Sequence, residues 1–326
     1  MSGIGLGAAS GAGRTERTAQ ASAAAGPSIS TVPTPRAELS LAGWLPLSAG
    51  LRASVPLLLV LLFGFVAPLL TVLAYSFATP RSYDVFSSFT LDNYAAIVAP
   101  GNTVWTSFAW SILLAVLTVV VLAIVAYPIA VGLVRVFGRW SGFISILFVF
   151  PLFVSENVRL YGWVLFFIRN GVLDGGLKAL GFSGGPEVLY TPGVILFGMA
   201  YVYLPFMLFP LVLGLSMVPR DLVDAARDLG AGRWMIWREI ELPLAMPGIL
   251  IGMLLSFVLG AGALAESKIL GGQAIITVTH DIETAFTYAQ NWPLGSALAV
   301  LLMVVVSGLS LVVMARLDLD RILGRK

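Results

Sequence analysis

Six apolar stretches, each long enough or nearly long enough to cross a bilayer, limit what this chain can fold into. Spanning about 30 Å of hydrocarbon takes about 20 helical residues. Apolar residues make up 58% of the chain and charged residues 11%, against about half and about a quarter in soluble domains. We therefore predict an all-α membrane protein built as a six-span helical bundle, with five or seven spans as alternatives. The approximate spans are Val55–Phe77, Val104–Val134, Gly142–Phe167, Gly193–Val218, Pro247–Ala265 and Leu294–Ala315.

The first 50 residues differ from the rest. They are rich in Ala, Ser, Gly and Thr and show no hydrophobic period, so they cannot bury enough apolar surface to offset chain entropy. A cleaved signal peptide fits poorly, because the first strong apolar run begins near Val55 and is too long for a signal core. We predict a disordered cytoplasmic tail over residues 1–50 and a transmembrane domain over residues 51–326.

The distribution of basic residues predicts the orientation. With the N-terminus inside, fourteen of the 19 Lys and Arg residues fall in cytoplasmic segments. Because cytoplasmic loops carry an excess of Lys and Arg, this distribution favours an even number of spans with both termini in the cytoplasm. The five basic residues on the outer side are Arg81, Arg159, Arg169, Lys178 and Lys268.

Several classes of site are excluded by composition. The chain has no Cys and one His, so a disulfide scaffold, a thiolate metal site and a multi-His metal site are ruled out. It contains no G-x-x-x-x-G-K-[ST] phosphate loop, which predicts that it does not hydrolyse ATP by itself. A net charge of only +2 gives little support to nucleic-acid binding. We predict a non-catalytic chain without a cofactor or metal.

The segment 219–244, between the predicted fourth and fifth spans, is the one sizeable internal cytoplasmic segment. It has the pattern of two short helices. Pro219 suits the first turn of a helix, and Gly230 suits the position just after its end. The second helix is predicted from about Arg233 to Ile240, ending before Pro243. Apolar residues in the first helix form one stripe at i, i+3, i+4 and i+7, namely Leu222, Ala225, Ala226 and Leu229.

Periodicity alone leaves the role of this segment open. An amphipathic helix can lie on the membrane surface or pack on its own bundle. The spacing of seven residues carries more information, because it resembles the "EAA" loop of ATP-binding-cassette (ABC) importer permeases. That pattern is E-A-A, three residues, G, nine residues, I, one residue and L-P, and only the first position departs from it, with Asp for Glu. The matching residues are Asp224, Ala225, Ala226, Gly230, Ile240, Leu242 and Pro243.

The resemblance implies a type I importer permease fold in a bacterial cytoplasmic membrane. In that family the loop is the coupling helix that docks onto a separate ATPase, so the resemblance implies an ATPase subunit dimer that uses ATP and Mg²⁺. It also implies an extracytoplasmic solute-binding protein and a second, homologous permease, with a homodimer as the alternative. The chain would then form half of a translocation pathway for a small polar solute.

Further residues are similar to spermidine/putrescine-type permeases. These are Leu270–Gly272, Phe286 and Asn291–Ala297, together with Val158–Trp163 and Arg169–Gly171. The similarity implies a polyamine as the solute. Permeases for opines and aminophosphonates share these features and stay as alternatives. An ion-coupled secondary carrier is a further alternative, although it would leave the 224–243 loop unexplained.

Polar residues at membrane depth tend to line a water-filled path or to pair with one another. The candidates for the translocation pathway are Glu156, Asn157, Arg159, Tyr161, Trp163 and Glu266. Glu156 and Arg159 are also spaced i, i+3, which permits an ion pair on one helix. The same two interpretations apply to Glu266 and its neighbour Lys268.

Overall fold

The computed structural model describes residues 49–82, 84 and 89–316. The chain divides into two units, residues 1–59 and 60–326, and the described part of the first is helical from residue 49 onward. Nearly all of the predicted tail, and the basic residues beyond Arg316, lie outside the described residues. The α-helices are α1 Ala49–Leu61, α2 Ala67–Ser76, α3 Asp92–Val98, α4 Val104–Val131, α5 Ser141–Val149, α6 Glu156–Phe167, α7 Val172–Ala179, α8 Pro192–Ser216, α9 Arg220–Asp228, α10 Arg233–Ile236, α11 Leu242–Ala261, α12 Ala265–Ile269, α13 Val278–Thr287 and α14 Trp292–Arg316.

Short π- and 3₁₀-helical segments join several of these helices. The π-helical segments are Leu62–Val66, Gly132–Val136 and Trp237–Glu241, and the 3₁₀ segments are Gly138–Trp140 and Phe150–Phe153. Within the described ranges there is no β-strand, only an isolated bridge between Ala78 and Phe89. The prediction of an all-α protein is therefore confirmed.

Five continuous helices are long and apolar enough to cross a membrane. They correspond to the first, second, fourth, fifth and sixth predicted spans, and their ends differ from the predicted ones by up to fourteen residues at the start of the fifth. They are Ser54–Ser76, Val104–Val136, Pro192–Ser216, Arg233–Ala261 and Trp292–Ala315. A sixth is reached when one bent helix pair is counted as a span.

That bent pair corrects the predicted third span. The sequence predicted one helix over Gly142–Phe167, but Gly138–Phe153 and Glu156–Ala179 meet at 95°. Val154 and Ser155 between them have extended backbones, with ψ of 135° at both. The residues before the break are apolar, and those after it are mostly apolar apart from Glu156, Asn157 and Arg159. Average hydropathy therefore did not separate the two helices.

The core of residues 60–326 is built on α8, which packs against α4 and α11. Glycines let α8 and α11 approach closely, as small residues do between membrane helices. A Cβ added at Gly214 would lie 2.8 Å from the carbonyl oxygen of Ala245 and 2.9 Å from the Cα of Gly248. The two helices that flank the 219–244 segment are thus held together at its base.

A second packed region joins α13 and α14 to α3 and α4. Its buried residues include Ile97, Phe108, Val278 and Leu298. The backbone N–H of Val278 donates a hydrogen bond to the Ser111 hydroxyl at 2.9 Å. This region fixes α13, which carries charged residues discussed below, against the long helix α4.

Candidate functional site

Helix α9 forms the first half of the 219–244 segment, as predicted. Pro219 precedes it with an extended ψ of 130°. Gly230 has φ of +83°, in the left-handed region that glycine occupies without steric cost. The N–H of Ala231 donates to the carbonyl oxygen of Ala226 at 2.9 Å and so closes the end of the helix. The predicted glycine at the end of the helix is therefore confirmed, whereas Pro219 lies just before the first turn and not in it.

The exposed side of α9 carries an apolar stripe beside its charged residues. Leu222 is 49% exposed and Leu229 is 89% exposed, and Ala225 between them is also exposed. Two apolar side chains from α10 extend this surface, Trp234 at 68% and Met235 at 60% exposure. We call Leu222, Ala225, Leu229, Trp234 and Met235 the docking surface. Exposed apolar patches of this kind mark contact sites for other molecules.

The opposite face of α9 holds it to the bundle. Val223, which the apolar stripe omitted, is buried against the main core together with the partly buried Ala226. Asp224 forms an exposed ion pair with Arg227 at 3.1 Å. Of the remaining motif residues, Ile240 and Leu242 are partly buried and Pro243 is exposed. The motif therefore combines inward-facing packing residues with outward-facing ones.

The second half of the segment corrects a prediction. Sequence placed a short helix from Arg233 to Ile240 that ended before Pro243, but α10 runs through a π-helical turn directly into α11. Pro243 lies in the first turn of α11, where a missing N–H costs little. The wider π-helical turn before it accommodates the break in the hydrogen-bond pattern.

The same segment contacts the end of the second span. Arg135 forms an ion pair with Glu241, and an Arg220 guanidinium nitrogen donates to the carbonyl oxygen of Val134 at 3.4 Å. These contacts place segment 219–244 and Arg135 at the same end of the bundle. Glu241 was not among the residues predicted from the sequence. Its only local signal was its position directly before the Leu-Pro of the motif.

The polar residues of the broken third span lie where α6 packs against α12 and α8. Glu156 and Arg159 form no ion pair with each other within the described part of the chain, so that interpretation is wrong. The Nε and Nη1 atoms of Arg159 are buried and have no hydrogen-bond partner among the described residues. Its guanidinium lies 5.5 Å from the ring centroid of Tyr201, a cation–π contact.

Glu266 in α12 is fully buried. Its carboxylate lies beside the side chain of Tyr203 in α8, but neither carboxylate oxygen makes a well-aligned hydrogen bond to the residues that the structure describes. Its neighbour Lys268 turns elsewhere and donates to Glu283 of α13 at 2.6 Å, a contact that raises the pKa of the Lys268 ammonium group. The interpretation of Glu266 and Lys268 as an ion pair is therefore wrong as well, and Glu266 keeps unused hydrogen-bonding capacity.

The other three pathway candidates have different surroundings. Asn157 and Tyr161 are exposed on α6. Trp163 is partly buried in an aromatic cluster, with ring centroids 4.6 Å from Phe197 and 5.5 Å from Phe167. The structure thus brings Glu156, Arg159 and Glu266 to one helix contact and gives Trp163 a packing role beside it. The described residues contain no group of three or more His, Cys, Asp or Glu that could hold a metal ion.

Comparison with known families decides what kind of protein carries this loop. The family described as "Binding-protein-dependent transport system inner membrane component" matches residues 129–322, more than half of the chain. The chain belongs to this family. It is a permease subunit of an ABC importer, and a multi-pass protein of the cytoplasmic membrane. Family membership also sets aside the ion-coupled carrier alternative.

Two individual relatives show which permeases within the family this chain is similar to. It is 31% identical over 271 residues to the spermidine/putrescine transport system permease protein PotB of Haemophilus influenzae, covering 82% of the permease and 92% of that protein. It is 30% identical over 269 residues to PotB of Escherichia coli (strain K12), with coverages of 82% and 96%. Among characterised relatives, the permease is thus similar to polyamine permeases.

A solved structure supports the fold. The permease resembles a chain of a bacterial alginate ABC transporter crystallised in complex with a periplasmic protein bound to an alginate pentasaccharide. The TM-score is 0.65 at 14% identity, and the match covers 80% of the permease and 91% of that chain. At this identity the similarity bears on the fold alone, which is that of an ABC importer permease.

Proposed function

We propose that the permease imports a polyamine of the spermidine and putrescine class, and that it docks a separate ATPase through the 224–243 loop. The observation that carries the docking proposal is the docking surface itself. Five apolar side chains project from a segment that also matches the seven positions of the EAA pattern, apart from Asp224 for Glu. Because α9 is anchored by Val223 on its other face, the exposed stripe is available to a second protein.

The docking surface lies at the cytoplasmic end of the bundle in this proposal, and both termini lie in the cytoplasm. Arg135 and Arg220 support this orientation, because their contacts bring two of the predicted cytoplasmic arginine clusters to one end of the bundle. Lys and Arg are enriched on the cytoplasmic side of membrane proteins. The chain itself binds no cofactor, and the ATPase subunit dimer uses ATP and Mg²⁺.

The permease works as half of a pathway. A second, homologous permease completes it, with a homodimer as the alternative. Support comes from α5 and the 3₁₀ segment after it, where Phe143, Ile146, Leu147 and Phe150 are exposed, so that lipid or another subunit must cover them. An extracytoplasmic solute-binding protein delivers the solute, as the family description and the alginate transporter complex suggest.

The polar residues at the α6–α12 contact line the translocation route in this proposal. A polyamine carries ammonium groups, and Glu156 and Glu266 supply carboxylates for them. A buried carboxylate is costly unless it is well paired, so an ammonium group of the solute would complete the hydrogen bonds that Glu266 leaves open beside Tyr203. Asn157 and Tyr161 supply exposed polar groups on α6. Arg159 partly offsets the negative charge of the two carboxylates, and Trp163 packs against the aromatic cluster beside the route.

Uptake of radiolabelled putrescine and spermidine in the native host tests the substrate assignment. Cells with the gene deleted should lose uptake of both polyamines and regain it from a plasmid copy. An opine and an aminophosphonate serve as parallel solutes. Unchanged polyamine uptake with loss of one of the other solutes would overturn the polyamine assignment, while the importer assignment would stand.

A further inference from the structure

One partly buried ion pair joins the 219–244 segment to the second span. Arg135 is in the π-helical segment Gly132–Val136 that ends this span, and Glu241 is in the π-helical turn just before α11. The two residues are 106 positions apart in sequence, and their side chains are only 24% and 11% exposed. Removing one partner of a buried pair leaves an uncompensated charge. The pair is therefore a strong attachment point between two separate elements.

An aromatic contact reaches the same span from the docking surface. Trp234, exposed on the docking surface, lies 4.6 Å between ring centroids from Trp237. Trp237 in turn meets Tyr127 of α4 edge-on, at 6.1 Å and 87°. Tyr127 lies about two helical turns before Arg135 in the same span. The segment thus touches the second span at two levels, one aromatic and one charged.

Apolar packing around these contacts is incomplete. An open apolar groove lies beside the aromatic contact and is lined by Tyr127, Pro128, Trp237 and Leu242, among others. Elsewhere along the span, α4 packs directly against α8 and α11. At the end of the span, the ion pair joins the start of α11 to the span, beside the hydrogen bond from Arg220 to Val134.

The base of the segment is held by two tightly packed helices. Its two flanking helices, α8 and α11, are in backbone contact at Gly214 and Gly248. A displacement of the docking surface would therefore be passed to both helices, and it would reach Arg135 through Glu241, since that residue directly precedes α11.

We propose that Arg135 and Glu241 are positioning residues that transmit movement of the docked loop to the second span, so that ATP hydrolysis stays coupled to opening of the route. The proposal rests on the proposed ATPase docking. It assigns a role to a pair outside the docking surface and outside the polar route. The pair neither touches the ATPase nor binds solute.

The test uses the purified complex of permease, ATPase and binding protein in proteoliposomes, with uptake and ATP hydrolysis measured together. Arg135→Gln and Glu241→Gln should copurify with the ATPase as the natural chain does and continue to hydrolyse ATP. Solute imported per ATP should fall about tenfold, within the range of measured coupling between sites. The charge-swapped double variant R135E/E241R should recover much of the loss because it restores the pair, while retained ATPase binding and hydrolysis in the single variants exclude general destabilisation.

Arg139→Gln is the matched control. Arg139 follows the same span, is exposed and lies over the ring of Trp140 at 5.7 Å. Its neutralisation should leave solute per ATP unchanged. Equal ratios for the natural chain, R135Q and E241Q, with the ATPase bound in each, would overturn the proposal. Failure of the natural chain to bind the ATPase would instead overturn the docking assignment.

If the single variants fail to accumulate in the membrane, a covalent crosslink in place of the ion pair tests the same proposal. The chain has no cysteine, so R135C/E241C can be joined by a short bifunctional maleimide without background labelling of the permease. Solute per ATP should be low before crosslinking and should rise after it. An equal ratio before and after crosslinking would overturn the proposal.

Discussion

The docking surface and the α6–α12 polar contact both carry functional residues, but the chain builds them in different ways. On the docking surface the residues come from one continuous segment, and local signals such as Pro219 and Gly230 fix their geometry. At the polar contact, Arg159 and Glu266 come from helices more than 100 residues apart, and buried polar atoms of both make no well-aligned hydrogen bond within the described residues. The first region is organised by its local sequence, whereas the second is organised by tertiary packing and, in our proposal, is completed by a ligand.

The largest effect is expected from breaking the turn of the docking loop. Gly230→Pro should abolish copurification of the ATPase while the permease stays in the membrane, because proline cannot adopt φ of +83°. The double variant D224R/A225E should do the same by placing charge in the docking surface. Copurification from solubilised membranes is the measurement.

Gly181→Pro is the control for that variant. Gly181 also has a positive φ, of +89°, and no side chain would lie within 4 Å of an added Cβ. Gly181 lies between α7 and α8, outside the 219–244 segment, so the ATPase should still copurify. Loss of the ATPase in both variants, or in neither, would break the distinction between a locally built docking loop and the rest of the bundle.

A smaller effect is expected at the polar contact. Glu266→Gln keeps the shape of the side chain and removes its charge, so uptake should fall roughly tenfold to a hundredfold if an ammonium group loses one charge-assisted hydrogen bond. ATPase copurification should not change. Uptake in cells with matched permease levels is the measurement.

Glu187→Gln provides the comparison. Glu187 is an exposed carboxylate paired with Arg169 at 3.2 Å, and such surface pairs contribute little. Its neutralisation should leave uptake close to that of the natural chain. Full uptake by Glu266→Gln would contradict a ligand-completed contact and would make Glu266 a residue of structural interest only.

The same contrast explains how much the sequence predicted. The five continuous spans, α9 and the glycine turn follow from apolar length and local backbone preferences, and these were predicted. The end of the second loop helix was predicted wrongly, because Pro243 fits the first turn of α11 as well as it fits a helix terminus. Local rules could not choose between the two.

Tertiary arrangements account for the remaining differences. The 95° bend at Val154 and Ser155 splits an apolar run that hydropathy treats as one span. Ser155 followed by Glu156 was a usable signal, because serine before an acidic first turn is typical of a helix start. The Arg135–Glu241 pair and the Lys268–Glu283 pair join residues distant in sequence, so a single sequence could not have predicted their partners.

The docking of a separate ATPase on this loop is the central claim, and crosslinking tests it most directly. Because the chain has no cysteine, Leu229→Cys can carry a photoactivatable maleimide label at a site that is 89% exposed. Leu180→Cys, exposed on the segment between α7 and α8, carries the same label as a control. We predict that light joins the ATPase subunit to the label at residue 229 and not to the label at residue 180. Equal crosslinking at both sites, or none at residue 229, would contradict the docking of the ATPase on this loop.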